Sequence, residues 1–292
     1  EFGFSNARWM TEQELNSDET FDNKNALGFH IPKMWDKILD IEMCHLQRDP
    51  SNAIRNEIRA FAIENNLSFF NPRNHEGFLR TLMIRTASTG EIMVLLQFFE
   101  EQKANRELLL DHIASRFPEI TSLQYVINGK ANDTLYDQEI VCYKGQDYIT
   151  EVMEALQFRI TAKSFYQTNS LQAFELYKVV RELADLQGDE LVYDLYTGTG
   201  TIAQFVAQKA QKVVGVDVVP DSINAAKSNA VHNKIDNVFF ETGDMKAIFT
   251  EEFIERHGKA SVVITDPPRD GMHKDVVQQL LDLSPDRIVY VS

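Results

Sequence analysis

The stretch Val192-Tyr-Asp-Leu-Tyr-Thr-Gly-Thr-Gly-Thr-Ile-Ala203 decides how this chain folds. It opens as a short apolar strand and closes as the start of a helix. Between the two, Gly198 and Gly200 let the backbone turn sharply and let a ligand approach closely. The spacing Gly198-x-Gly200-x-x-Ala203 also matches the dinucleotide fingerprint. The turn alone therefore leaves two cofactor classes open, and its neighbours must choose between them.

Asp194 stands immediately before the turn. A carboxylate there repels a diphosphate and attracts a ligand that carries a sulfonium and an ammonium. This favours S-adenosylmethionine over NAD. An NAD-dependent oxidoreductase with a Rossmann domain is the alternative reading. Asp217 ends the next strand, where a carboxylate accepts both ribose hydroxyls of either cofactor. Asp244, in Thr242-Gly-Asp244 after the third strand, is placed for an adenine amine.

Working outward, helical and strand patterns alternate from residue 170 onward. Strands are expected at 191–194, 212–217, 237–241, 261–265 and 287–292. Helices are expected at 171–186, 201–209 and 221–233, the last with Asp221 as N-cap after Pro220. Alternation with short connections predicts an α/β, doubly wound parallel-sheet (Rossmann-like) domain over residues 161–292. Asp266-Pro-Pro-Arg-Asp-Gly271 follows the strand at 261–265, at the carboxyl end where such sheets bind ligands. Two successive prolines hold Asp266 on a rigid backbone. Arg269 is suited to orient a nucleotide phosphate or pair with an acid.

Residues 1–160 predict a separate α+β domain. Strand-like runs fall at 79–86, 92–99, 122–128 and 139–143. Helical patterns fall at 51–65 and 104–116, the latter with Leu108, Leu109, Ile113 and Phe117 on one face. The polar segment 18–25 reads as a loop. Two domains suit a length of 292 residues.

A composition of 43% hydrophobic and 25% charged residues excludes a disordered or fibrous chain. No apolar run approaches the ~20 residues that span a bilayer. The opening Glu1-Phe-Gly-Phe4 lacks a charged-then-apolar leader and reads as an internal boundary rather than a signal peptide. Two cysteines, Cys44 and Cys142, make no disulfide framework, so a cytoplasmic protein is expected, with Cys142 in the core. The net charge of −15 is shared by both halves and argues against strong independent affinity for a polyanion.

Four segments together resemble one family: Lys163-Ser-Phe-Tyr-Gln-Thr-Asn169, Asp194-Leu-Tyr-Thr-Gly-Thr-Gly200, Asp266-Pro-Pro-Arg-Asp-Gly271 and Arg287-Ile-Val-Tyr-Val-Ser292. In order and spacing they are similar to the bacterial RNA 5-methyluridine (uracil-5) methyltransferases that modify 23S rRNA or tRNA. Residues 1–160 resemble that family more loosely, through Ala26-Leu-Gly-Phe-His30 and Asp40-Ile-Glu-Met-Cys-His-Leu46, and lean toward the 23S rRNA enzymes. The resemblance implies a donor site of Gln167, Asp194, Tyr196, Gly198, Gly200, Thr201, Asp217, Asp244 and Asp266. It implies that Gln167 contacts donor or uracil, that Asp217 takes the ribose, and that Asp266 sits between donor and base. Gln167 offers a donor and an acceptor that match an imide edge. With Asn169 and Arg269 it forms the expected RNA side of the site.

The resemblance also implies a C-terminally truncated domain. The family's nucleophilic Cys is expected directly after Ser292, and its general base, a Glu, further on, so no catalytic residue is expected in this chain. That thiolate adds to uracil C6, which makes C5 nucleophilic toward the donor methyl. Cys44 matches the position of an iron–sulfur ligand, a role open only to a longer chain that holds the other three. No metal is expected here, and no membrane partner.

Overall fold

Strands from Phe2 to Gly145 build one sheet, the strands between residues 148 and 161 pair as a sheet of two, and a sheet of five begins at Leu191. The computed structural model describes residues 1–17 and 23–292 and divides into Glu1–Ile149 and Thr150–Ser292. Residues 18–22 of the expected polar loop lie outside the described residues.

The first unit runs β1 (Phe2–Ser5), α1 (Glu12–Leu15), β2 (Ala26–Ile31), β3 (Met34–Asp40), α2 (Ser51–Glu64), β4 (Leu79–Thr86), β5 (Ile92–Phe98), α3 (Lys103–Arg116), β6 (Ser122–Ile127) and β7 (Val141–Gly145). These strands form a seven-stranded sheet in the order β3-β2-β1-β4-β5-β6-β7. β5 and β6 pair in parallel, and α3 is the crossover that a parallel pair requires. Alternate β5 residues Ile92, Val94, Leu96 and Phe98 pack with Ile54 and Ile58 of α2 and with Leu109, Leu110 and Ile113 of α3.

Two expectations for this unit are corrected. Leu108 is 46% exposed, and Leu110 takes its place on the buried stripe of α3. Cys142 is exposed rather than core, because β7 is an edge strand with its side chains turned to solvent. Cys44 is buried in the core, its backbone N–H donating to Asn52 Oδ1 at 2.7 Å. No helix among the described residues is long and apolar enough to cross a membrane.

The second unit continues from β8 (Tyr148–Met153), within which the division falls, through β9 (Leu156–Thr161), α4 (Ser170–Ala184), β10 (Leu191–Leu195), α5 (Thr201–Ala207), β11 (Lys212–Asp217), α6 (Pro220–His232), β12 (Val238–Thr242), α7 (Glu251–His257), β13 (Val262–Thr265), α8 (Lys274–Leu283) and β14 (Arg287–Tyr290). The five strands from β10 on make a wholly parallel sheet in the order β12-β11-β10-β13-β14. Both faces are covered, so strand residues alternate between two cores. Val192, Val213, Val262 and Ile264 face α4, α5 and α6, whereas Tyr193, Val214, Val216 and Val263 face α7 and α8. The chain reverses direction across the sheet between β10 and β13, where such folds leave a crevice. Asp221 is not the N-cap of α6. Val219 is, because Pro220 suits the first helical position and starts the helix one residue earlier.

The sequence reading put the domain boundary at residue 160, yet β9 belongs with the second unit. Met153, Leu156 and Phe158 enter its core. Two α6 side chains also bind the β9 backbone as a neighbouring strand would. Asn233 Oδ1 accepts from Gln157 N at 2.8 Å, its Nδ2 donates to Gln157 O at 3.0 Å, and Asn229 Oδ1 accepts from Arg159 N at 2.9 Å. Asn233 also donates to Oε1 of the fully buried Gln204. Asn233→Ala strands these partners and is expected to cost about 2 kcal/mol. Faster amide exchange across β9, with α8 unchanged, is the measurement that checks it.

Candidate functional site

The sheet order brings the carboxyl ends of β10 and β13 side by side, and with them Asp194 and Asp266. Asp194 is 1% exposed. Its Oδ2 accepts from Thr197 Oγ1 at 2.5 Å and from Ala203 N at 3.0 Å. The N-cap of α5 is Gly200, which has no side chain to cap with, so Asp194 satisfies that N–H across the turn. Its other oxygen, Oδ1, is buried without a hydrogen-bond partner. Burial pushes the carboxyl up to about 7, against the pull of its two hydrogen bonds, and the nearby Asp266 and Asp217 add to the rise. A buried acceptor left open in this way calls for a partner, and a cationic donor would favour its ionised form.

The turn itself is under constraint. Tyr196, Gly198 and Gly200 all have positive φ, at 61°, 55° and 76°. Tyr196 tolerates that region poorly, and such strain gathers at ligand sites. A Cβ on Gly198 would meet nothing within 4 Å, so that face of the turn is open. A Cβ on Gly200 would lie 2.6 Å from the Phe240 ring and 2.9 Å from Ala226, so the inner face is closed. Gly198 N donates to Asp217 Oδ2 at 2.9 Å, and Val219 N donates to Asp217 Oδ1 at 2.9 Å. Each oxygen keeps a further acceptor site for a diol. Thr201 is buried, and its hydroxyl meets that of Thr199 at 3.2 Å. Asp244 is exposed just past β12, with Lys246 N on its Oδ1. It lies close enough to Tyr196 to help raise that phenol, chiefly lifted by burial.

Gln167 reaches the same place from the loop before α4. Its Nε2 donates to Asp266 Oδ2 over a long 3.5 Å, which opposes the rise that burial gives the Asp266 carboxyl. Tyr177, two turns into α4, was not anticipated. It is 5% exposed, lies beside Gln167, and has its phenol raised by burial and then by Asp266 and Asp194. It sits in a regular amphipathic helix where nothing local sets it apart from a core aromatic. Asn169 is the N-cap of α4, its Oδ1 accepting from Gln172 N at 3.1 Å. Arg269 is exposed beyond the two prolines.

The site therefore joins a cation-seeking buried carboxylate, an open glycine face and a carboxylate with free acceptor capacity at adjacent strand ends. That set fits a small ligand bearing an ammonium and a diol. It does not suit a diphosphate, which would face Asp194.

Known proteins place this parallel sheet in the methyltransferase class. Residues 187–286 match the family described as "Methyltransferase domain". A protein of Porphyromonas gingivalis described as an uncharacterized RNA methyltransferase is 55% identical over 100% of this chain and 64% of its own length. A protein of Bacteroides thetaiotaomicron with the same description is 55% identical over 100% of this chain and 65% of its own. Among solved structures, the tRNA (uracil-54, C5)-methyltransferase of Pyrococcus abyssi in complex with S-adenosyl-L-homocysteine is 29% identical, with a TM-score of 0.75 over 91% of this chain and 62% of that one. The chain belongs to the RNA methyltransferase family that these relatives represent. It spans less than two thirds of their length.

Proposed function

We propose that this chain binds S-adenosylmethionine at the carboxyl edge of its parallel sheet and serves methyl transfer to C5 of a uridine in RNA. The observation that carries the reading is the unpartnered Oδ1 of Asp194 beside the open face of Gly198. The uridine target rests on the four sequence segments and on the name of the solved relative from P. abyssi.

In this reading Asp194 takes the donor ammonium and Asp217 the ribose hydroxyls. Tyr196 and Asp244 bound the adenine, and Gly198, Gly200 and Thr201 shape the turn around the donor. The donor supplies a methyl group activated on sulfonium. Asp266 and Gln167 stand between donor and base, with Tyr177 holding Gln167 in place. Asn169 and Arg269 lie on the RNA side, Asn169 through its cap on α4. Proximity is what the sheet contributes, by aligning methyl and C5.

Uracil C5 also needs a thiolate at C6. By the resemblance that thiolate is a Cys expected after Ser292, and neither Cys44 nor Cys142 matches its motif. The 292 residues are therefore proposed to bind donor without turnover, and 5-methyluridine formed by the pure chain would refute that. The proposed RNA is 23S rRNA, on the likeness of residues 1–160, and the assay includes tRNA beside it.

Calorimetric titration with S-adenosylmethionine and with NAD tests the donor site. The expected result is binding of the methyl donor alone, weakened about tenfold or more in Asp217→Ala as charge-assisted hydrogen bonds to the ribose are lost. Binding of NAD alone would overturn the assignment.

A further inference from the structure

The first unit carries a cavity of about 300 Å³ that the donor site does not use. Its floor is Phe4, Ile38 and Phe70, and its mouth is flanked by Trp35, His75 and Asp133. The wall is rigid. Arg80 is 6% exposed and donates to the backbone carbonyls of Asn128, Lys130 and Ala131 at 2.7–3.2 Å, while its guanidinium lies over Phe70 and Phe99. Gln97 Nε2 holds Asp133 O at 3.3 Å. The loop across this face is thus fastened before any ligand arrives.

Three features point to one occupant. Trp35 is 64% exposed, a large flat ring held at a cavity mouth at the cost of its hydration. His75, at the same mouth, has a φ of +54°, a strained conformation that a non-glycine residue keeps where the surroundings impose it. The lining carboxylates are Asp36, whose Oδ2 accepts from Arg73 Nε at 2.6 Å, and Asp133. Arg73 and Arg80 match them in charge, but Arg73 is held by Asp36 and Arg80 is spent on the backbone carbonyls, so the remaining carboxylate oxygens offer acceptors to an amino group. The volume suits one planar ring system, at the low end of small-ligand pockets.

We propose that this cavity receives one unpaired, amino-bearing nucleobase of an RNA strand, stacked on Trp35 with its amino edge toward Asp36 and Asp133. The proposal rests on the RNA reading above and adds a second, base-reading contact on the first unit. Unpaired bases are recognised in this way, by stacking on aromatic rings and hydrogen bonding along their edges. Carboxylates accept from cytosine N4 but meet the carbonyl of uracil. The contact would also help so acidic a chain engage RNA.

Trp35 and Trp9 are the two tryptophans, so a Trp9→Phe background reports on Trp35 alone. The probes are cytidine and uridine RNA hexanucleotides, which differ in the amino or carbonyl group at position 4 of the ring. The expected result is quenching of Trp35 emission by the cytidine hexamer, with binding about tenfold weaker for the uridine hexamer and about tenfold weaker for Trp35→Ala by fluorescence anisotropy. Trp35 is largely exposed, so its removal leaves the fold intact. Equal affinity for the two hexamers, binding without quenching, or no binding at all would each overturn the proposal. S-adenosylmethionine titration of the same Trp35→Ala chain is expected to match the unsubstituted chain. A chain that binds hexamer but not donor would sink the donor assignment and leave the cavity assignment standing.

Discussion

Asp194→Asn is expected to raise the stability of the ligand-free chain at pH 8 while removing about a hundredfold of its affinity for S-adenosylmethionine. The stability half follows from burial. The Asp194 carboxyl is pushed from its ordinary 3.8 up to about 7, which corresponds to roughly 4 kcal/mol of penalty on its ionised form. Since the folded value lies above the unfolded one, the contribution of Asp194 to the stability of the ligand-free chain is most favourable below about pH 4. It falls as pH rises toward 7 and is level above that. The amide keeps an oxygen for Thr197 and Ala203 but places an unpaired N–H₂ where Oδ1 stands. About half the penalty should therefore be recovered, about 2 kcal/mol at pH 8 and almost nothing at pH 4. The affinity half follows from the same atom, because a charge-assisted hydrogen bond to the donor ammonium is lost. Donor affinity of the unsubstituted chain should climb about sixteenfold in all from pH 5.5 to 7, since only the ionised carboxylate pairs with a cation. Thermal melts and calorimetry at pH 4, 6 and 8 check both halves. A stability difference that does not vary with pH would show that Asp194 is not a buried acid with a raised pKa.

Gly200→Ala and Gly198→Ala should separate fold from ligand within three residues. Both positions have positive φ, so either alanine carries about 1 kcal/mol of backbone strain. At Gly200 the added carbon also lies 2.6 Å from the Phe240 ring and 2.9 Å from Ala226 Cβ, in a core that cannot yield. Overpacking raises the total cost to about 3–4 kcal/mol. At Gly198 the carbon projects into open space, so the fold survives, but it occupies the face proposed for the donor. The expected pattern is a large fall in denaturation midpoint for Gly200→Ala alone, and loss of donor binding in a well-folded Gly198→Ala chain. A Gly198→Ala chain that bound donor at full strength would place the ligand elsewhere.

The second unit was readable because its signals are local. The glycine turn, the acids at the ends of β10, β11 and β13, and the strand–helix alternation each lie within a dozen residues of chain. The first unit was less legible. β1, β2 and β3 are short and mixed in polarity, and β1 pairs with partners distant in the sequence, so no local period marked them. β8 and β9 escaped notice for a related reason, since β9 is held by asparagines of α6 some seventy residues away. Cys142 shows the limit from the other side. An apolar residue type in a strand says nothing about whether the strand is central or at an edge.

Order along the chain was enough to determine a doubly wound sheet and to point to a cationic ligand for its carboxyl edge, because strand period, turn chemistry and charge at strand ends are properties of neighbours in sequence. Tertiary structure alone decided which oxygen of Asp194 is left open, that Tyr177 joins Gln167 and Asp266 across nearly a hundred residues, and that the first unit holds a walled cavity beside Trp35. Those features depend on which side chains exclude water from one another, and that is settled only when distant segments pack.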